Sequence, residues 1–397
     1  GDEFPPDIRV EKECETLVRA SHEIHLIARN RNRRAIEDRV DSIFVHRLTR
    51  LHRKARRLSN WVSIPHFFNP IWFLKLLSVV GKHGIDIIHV HDLPLTPVGL
   101  VVGRLRRIPV ILDNHENYPA LLKAVGYRGL VLYCLYNPWV FRFVEIVCAR
   151  HVTHIICAGE GQRAFFIRMG VPPQKLTTVI NAVDVESFSN TGKFKNTVDQ
   201  YKGYFVLVYV GGFGKIICLE LVIEAVALLK DKIPNLRLLL VGGKRNPRRR
   251  ESLKRLCKKL AVDECVLFRD WVDFELVATY ISLSAVCMAP LVPGEHVNTT
   301  TSHKLFQYMA MAKPVIITNV RLMGSIVEGE NCGIVVDWNN PTQMAEAILK
   351  LYKNPEYARN LGANGRRAVI EKYNWRKVSK RLIELYKMVG DSYGGYF

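Results

Sequence analysis

Along the chain, short runs of β-branched and aliphatic residues alternate with stretches whose apolar positions recur every three to four residues. That alternation predicts parallel sheets covered by helices. In the first half it predicts a helix over 11–20, strands over 22–28 and 42–48, and a helix over 70–82. A strand over 86–91, a helix over 96–106 and a strand over 110–114 follow, then an aromatic-rich helical region over 128–148. A strand over 154–158, a helix over 161–169 and a strand over 176–180 close the series. Residues 186–203 lose the periodicity and turn polar, which places an interdomain linker there. The second half repeats the theme, with strands over 204–210, 237–241, 265–268, 285–289, 315–318 and 333–336. Helices are expected over 219–230, 249–260, 274–281, 302–312, 341–353, 355–372 and 376–388. The simplest fold class is α/β, with two Rossmann-like halves.

Composition leaves this picture intact. The 397 residues are 48% apolar and 24% charged, an ordinary globular balance with length enough for two α/β cores. The longest apolar candidate, residues 129–141, is short and interrupted by Asn137-Pro138, so no membrane span is expected. The opening Gly-Asp-Glu-Phe-Pro-Pro lacks the basic-then-apolar pattern of a secretory signal, and a cytoplasmic location is expected. The nine cysteines contain no C-x-x-C pair, which suits buried reduced thiols better than a metal or disulfide framework.

The net charge of +20 is the abnormal property. It is concentrated in Arg29, Arg31, Arg33, Arg34, Arg39, Arg47, Arg50, Arg53, Lys54, Arg56 and Arg57, and again over residues 244–259. Such runs suit a solvated face as well as an anionic partner: a membrane surface, a phosphorylated substrate or nucleic acid. No nucleic-acid motif accompanies them, so nucleic acid is not expected as a partner.

In open α/β sheets, ligands bind beyond the carboxyl ends of the strands. Four such segments could carry chemistry. His115 and Glu116 follow the strand over 110–114, where a histidine can take or give a proton near neutral pH. His89 and His91 share one face of the strand over 86–91, which could pass for half of a metal site. The spacing supplies no further ligands, so His91 and Asp92 are expected to line the cleft and no metal is expected. Gly211-Gly212-Phe213-Gly214-Lys215 joins a strand to a helix, and its backbone N–H groups with Lys215 would form an anion seat. A plain tight turn would explain the glycines equally well. Residues 298–307 start a helix with Thr300, Thr301 and Ser302 as candidate caps, Lys304 in the first turn and Gln307 one turn later. A cation in a first turn opposes the helix dipole, so an anionic ligand is the better reason for Lys304.

These segments, in this order, resemble the family-4 retaining glycosyltransferases of the GT-B fold over nearly the whole chain. Residues 4–13 resemble the family's first loop and helix, and residues 179–184 its segment before the linker. Residues 208–212 resemble the opening of its C-terminal domain, residues 303–316 its helix-and-strand signature, and Asn374-Trp375 the start of its terminal helix. The resemblance implies an N-terminal acceptor domain over 1–188, a linker over 189–203, a nucleotide-sugar domain over 204–373 and a returning helix over 374–397. It implies two sheets facing each other across a cleft, a UDP- or GDP-sugar donor, no obligatory metal or cofactor, and hexose transfer with retention.

By the same resemblance, His115 lies near the reacting carbon. Gly212, Phe213, Gly214, Lys215, Thr300, Thr301 and Lys304 surround the diphosphate, and Gln307, Trp271, Val272 and Gly242 meet the nucleoside. The acceptor would be a lipid-linked or polysaccharide glycan, with the basic surface and the aromatic segment over 127–143 holding an anionic membrane. Three departures stand out. Thr299 and Gln307 replace two glutamates, Ile217 and Cys218 replace a common Lys-Gly, and the strand that precedes the first loop in the family is not in this sequence. A non-catalytic partner or regulatory subunit is the alternative that the two lost glutamates support; a sugar-nucleotide epimerase on the same fold is a lesser one.

Overall fold

The computed structural model describes residues 3–5, 7–49, 67–126, 136–188, 195–244 and 246–393. Contacts divide the chain into two units. Unit 1 is Gly1–Lys123, Tyr127–Ile180 and Val378–Phe397, and unit 2 is Ala124–Gly126 and Asn181–Lys377.

Unit 1 opens with helix α1 (Ile8–Arg19), capped where the Asp7 carboxylate accepts from the Val10 N–H at 3.3 Å. Its Val10, Cys14 and Leu17 are buried, and Val10 and Cys14 pack with Phe4 and with Ala28 of strand β1 (Ile24–Ala28). Strand β3 (Ile43–Arg47) pairs parallel with β1 and antiparallel with β2 (Glu37–Val40). The hairpin partner β2 is not visible in the sequence pattern because Glu37, Asp38 and Arg39 are all exposed and carry no apolar alternation.

A second sheet of unit 1 has the order β4 (Ile88–His91), β5 (Val110–Asn114), β6 (His154–Cys157) and β7 (Leu176–Thr178), all parallel. Helices α2 (Pro70–His83), α3 (Thr96–Arg106), α4 (Tyr118–Val125), α5 (Pro138–His151) and α6 (Glu160–Arg168) accompany it. Asn69 and Asn137 cap α2 and α5, each with proline at the first helical position, where the missing N–H costs nothing. On β4 the two-residue period turns Ile88 and Val90 into the core and leaves His89 and His91 on the other face. Register then sets His91 opposite Asp113.

Unit 2 is one six-stranded parallel sheet ordered β10 (Val266–Arg269), β9 (Leu236–Gly242), β8 (Phe205–Gly211), β11 (Val286–Ala289), β12 (Val315–Thr318) and β13 (Gly333–Val336). Short helices α7 (Val185–Phe188) and α8 (Lys195–Asp199) precede it, so part of the stretch expected to be featureless is helical. Helices α9 (Leu219–Leu229), α10 (Pro247–Lys259), α11 (Phe274–Ser282), α12 (Glu295–Thr299), α13 (His303–Ala310), α14 (Arg321–Gly329), α15 (Pro341–Lys353) and α16 (Pro355–Glu371) follow, and α17 (Trp375–Tyr393) ends the described chain. Most of α9 is buried, which is why its apolar run carries little polar face.

The basic runs divide on inspection. Arg29 and Arg47 are buried, Arg47 donating to the Phe4 and Ala35 carbonyls and pairing with Asp38, so they brace the fold rather than face solvent. Arg31, Arg33, Arg34 and Arg39 are exposed. Arg50, Arg53, Lys54, Arg56, Arg57 and Arg245 lie outside the described residues, as do residues 127–135 of the aromatic segment and 189–194 of the linker. On α10 the basic side chains surround a buried edge of Leu253 and Cys257. All eight described cysteines are free thiols.

Candidate active site

Two clusters stand at carboxyl ends of strands, one in each unit. In unit 1, Asp113 on β5 is fully buried and holds three partners. Arg9 of α1 donates from Nε to Oδ2 at 3.0 Å and from Nη2 to Oδ1 at 2.8 Å, a bidentate pair. His115 places Nε2 2.7 Å from Asp113 Oδ2, and His91 lies within reach, its Nδ1 3.1 Å from the same His115 nitrogen. Asp92, whose backbone is left-handed at φ 72°, accepts the His115 N–H at 3.2 Å and sets its other oxygen 3.8 Å from His115 Nδ1.

The electrostatics follow from these contacts. Burial works against a charged His115, but Asp113 and Asp92 outweigh it and raise the imidazole to about 9. Asp113 is buried yet held well below the usual carboxylate range by Arg9 and His115. Burial and the neighbouring Asp113 push Glu13 of α1 upward, against the pull of Arg9. Burial pushes His89 well down and His91 down, and it raises Glu116 to about 7 with Asp92 adding to the effect. Near neutral pH, then, His115 is an imidazolium held between two carboxylates, beside neutral His89 and His91. Of the two roles open to a histidine at this place, taking or giving a proton, the raised imidazole favours the second, with His115 as a hydrogen-bond donor.

The sequence spacing gave His89 and His91 no further metal ligands, whereas the fold brings Glu13 and Asp113 to them. One ligand atom from each of the four lies within 4.8 Å of the others. The Arg9 guanidinium stands 3.0 Å from Glu13 Oε1 and binds both Asp113 oxygens, so a fixed organic cation already serves these carboxylates. Tyr386 of α17 places its hydroxyl 2.7 Å from His89 Nδ1. Arg9, Glu13 and Tyr386 were missed in the sequence; the i,i+4 spacing of Arg9 and Glu13 was the available signal.

In unit 2, β8 and β9 end on Gly211 and Gly242, at φ 140° and φ 122°. A Cβ on Gly242 would lie 2.2 Å from the Gly211 carbonyl oxygen, so the two strand ends approach closer than any side chain permits. A Cβ on Gly211 would lie 2.2 Å from Lys304 Cε, because the lysine stem crosses directly over it. Lys304 Nζ donates to the Tyr209 hydroxyl at 3.2 Å and sits 5.0 Å from that ring's centre. Lys304 opens α13, whose Ser302 cap accepts from the Lys304 N–H at 3.4 Å. The lysine, the helix N-terminus and the glycine turn therefore converge on one place, an arrangement with the charge and dipole to receive an anion.

The remaining expected residues fall into place unevenly. Gly212 is exposed at the turn and Gly214 half-buried, while Lys215 is exposed. Phe213 is 1% exposed, its ring packed between Gly243, Tyr209 and Phe268, so only its backbone could face a phosphate. Thr300 and Thr301 are buried beside the start of α13; the Thr300 hydroxyl donates to the His296 carbonyl at 3.4 Å, and the Thr301 carbonyl accepts from Asn181 at 2.7 Å. Gln307 is 7% exposed, one turn after Lys304 on the same face. Trp271 is exposed and Val272 half-buried just beyond β10.

Residues 8–187 match the model of Glycosyltransferase Family 4 and residues 204–354 that of Glycosyl transferases group 1. An uncharacterized glycosyltransferase of Methanocaldococcus jannaschii is 21% identical over 395 residues, covering 96% of this chain and 93% of its own. Among solved structures, sucrose-phosphate synthase from Thermosynechococcus elongatus superposes with a TM-score of 0.78 at 20% identity, over 99% of this chain and 96% of that one. Anabaena HepE, solved with UDP and glucose, superposes with a TM-score of 0.73 at 13% identity over 98% of each chain. The two matched models together run through both units, and the chain belongs to the glycosyltransferases of family 4 and group 1, on the GT-B fold.

Proposed function

We propose that this glycosyltransferase moves a hexose from a UDP- or GDP-sugar to a lipid-linked or polysaccharide acceptor, with retention at the anomeric carbon. The observation that carries the donor class is Lys304, laid over Gly211 at the N-terminus of α13. A cation, a helix terminus and the backbone N–H groups of a glycine turn stabilise charge as it develops on a departing diphosphate, commonly the largest catalytic contribution. The fixed donors supply that charge from the protein, so no metal or cofactor is needed. Structures of HepE with UDP and with UDP-glucose support a nucleotide-sugar donor. His115, charged and held between Asp113 and Asp92, serves to bind and orient the sugar at the reacting centre.

A peripheral membrane site on the cytoplasmic face suits the surface. Among the described residues no helix is long and apolar enough to cross a membrane. Yet Trp139 and Phe143 on α5 are 82% and 68% exposed, and Val147 continues the same i,i+4 stripe. Helix α3 packs beside α5 and adds exposed Val101 and Leu105 with the basic Arg104 and Arg106. Apolar side chains rimmed by arginine fit an anionic lipid surface.

The test is turnover of a sugar-nucleotide panel by the purified chain, with Lys304→Met alongside. Loss of one charged hydrogen-bonding group corresponds to ~1.5–3 kcal/mol, a fall in kcat/KM of about ten- to a hundredfold. No turnover and no thermal shift with any nucleotide sugar would overturn the proposal. A folded chain that binds none of them would favour the non-catalytic partner, the reading that Gln307 in place of a glutamate supports.

A further inference from the structure

A second histidine group of unit 1 lies outside the His115 network. His25 is on β1, His46 on β3 and His83 in the last turn of α2. Parallel register sets His25 opposite Phe44, and the two-residue period returns His46 to that same face. His25 Nδ1 and His46 Nε2 face each other at 2.9 Å. The His83 ring centre lies 4.2 Å from that of His25 and 5.2 Å from that of His46. One ring nitrogen of each lies within 4.8 Å of the other two.

The outer nitrogens are already committed. His25 Nε2 stands 2.8 Å from Glu23 Oε1, and His46 Nδ1 pairs with the Glu37 carboxylate, whose other oxygen accepts from Lys75 Nζ at 2.6 Å. An ionised carboxylate only accepts, so each outer nitrogen carries the hydrogen. A neutral imidazole has only one N–H. Both inner nitrogens therefore present lone pairs to each other at hydrogen-bond distance, a repulsive arrangement unless something positive sits between them. A shared proton would satisfy these two nitrogens but would not engage His83, whose ring nitrogen lies within 4.8 Å of both. A cation that binds imidazole would use all three.

We propose that His25, His46 and His83 form a site for a divalent transition-metal ion of the zinc class, with Glu23 and Glu37 as the outer partners that fix the two ring tautomers. Histidines that ligate metals donate their other N–H to a carboxylate in this way. Imidazole suits zinc, nickel and copper, and three protein ligands leave a fourth position for water or a substrate atom. Ligand bonds of about 2.0–2.1 Å in a tetrahedron separate nitrogens by roughly 3.3 Å, so the near-parallel His25 and His46 rings turn as well as separate by a few tenths of an ångström for their lone pairs to meet at the ion. His83 is exposed, His25 half-buried and His46 buried, which gives the ion an entry side and a fixed floor.

The experiment is calorimetric titration of the metal-stripped full chain with ZnCl2 alone, near neutral pH, with Co2+ absorption reporting coordination. One ion per chain, tetrahedral Co2+ bands and a Zn2+-dependent rise in Tm are expected. His83→Ala, at an exposed position, should weaken binding at least tenfold and abolish the Tm rise, and Glu23→Gln should weaken it about ten- to a hundredfold. Absence of saturable binding overturns the proposal. So does binding that survives His83→Ala and His25→Gln but is lost in His89→Gln, which would place the ion with Glu13 and Asp113. A proton shared by His25 and His46, seen by histidine NMR and unmoved by Zn2+, overturns it as well.

Discussion

Raising the pH through the titration of His115 should weaken the fold by a calculable amount. In the folded chain the imidazole sits at about 9 against an ordinary 6.5, raised by Asp113 and Asp92 against the effect of burial. Because the folded value is the higher one, the stabilisation is complete below pH ~6.5 and is lost as the pH rises through about 9. The difference, 9 − 6.5, at ~1.4 kcal/mol per pH unit, amounts to roughly 3 kcal/mol. Glu13 and Glu116 are also raised, so they too favour the fold at low pH and lose that contribution as the pH rises. Asp113 is lowered, and its contribution is lost only in acid. The wild-type slope is thus composite, and His115→Gln removes the histidine together with its pull on Glu13, Glu116 and Asp113. Urea unfolding from about pH 6 to about pH 10 should show the two proteins converging by ~3 kcal/mol as the pH rises. Labelled-histidine NMR should place His115 near 9. Titration at or below the ordinary value, or a stability difference that stays flat across that range, would refute the reasoning.

Other outcomes follow from single contacts. Gly242→Ala forces a Cβ to within 2.2 Å of the Gly211 oxygen at a left-handed φ, and should cost ~2–3 kcal/mol in urea unfolding; an unchanged midpoint would show that the strand ends part freely. Gly211→Ala shares that backbone strain at φ 140° but meets the flexible Lys304 stem rather than a backbone oxygen, so donor KM or kcat should suffer about tenfold while stability falls less than for Gly242→Ala. Trp139→Ser with Phe143→Ser, both on the exposed stripe of α5, should abolish sedimentation with anionic vesicles and leave turnover of a water-soluble acceptor unchanged. Retained sedimentation would move the membrane contact elsewhere.

The sheets of both units were legible because buried parallel strands read as continuous apolar runs, as in Val206 to Val210 or Leu238 to Val241. The turn at Gly211 and the start of α13 were legible because glycine, lysine and a capping serine are local signals. What stayed hidden was set by register and tertiary contact. Strand β2 owes its existence to backbone pairing with β3, not to apolar side chains. Helices α4, α12 and α14, five to nine residues long, were not anticipated, although α6, α11 and α13 of similar length were; at two turns or so the periodic signal is too weak to be dependable. Arg9 meets Asp113 across 104 residues of sequence, and nothing local to either announces it. The charge of His115 is set by Asp113, two residues before it on β5, and by Asp92, just past the end of β4 and 23 residues away, and how close each comes is decided by the pairing of the two strands.

The packing of Gly211, Gly242 and Lys304 also imposes an order on how this sequence can drift. Loss of Lys304 removes the atoms that crowd a side chain at Gly211, leaving only the strain of its backbone at φ 140°. Gly242 gains nothing from that loss, because what blocks it is the backbone of its neighbour. In a lineage that abandoned catalysis, the lysine should therefore go first and Gly211 next, with Gly242 persisting as long as the sheet does. The three positions, compared across descendants, would date the loss of activity separately from the loss of the fold.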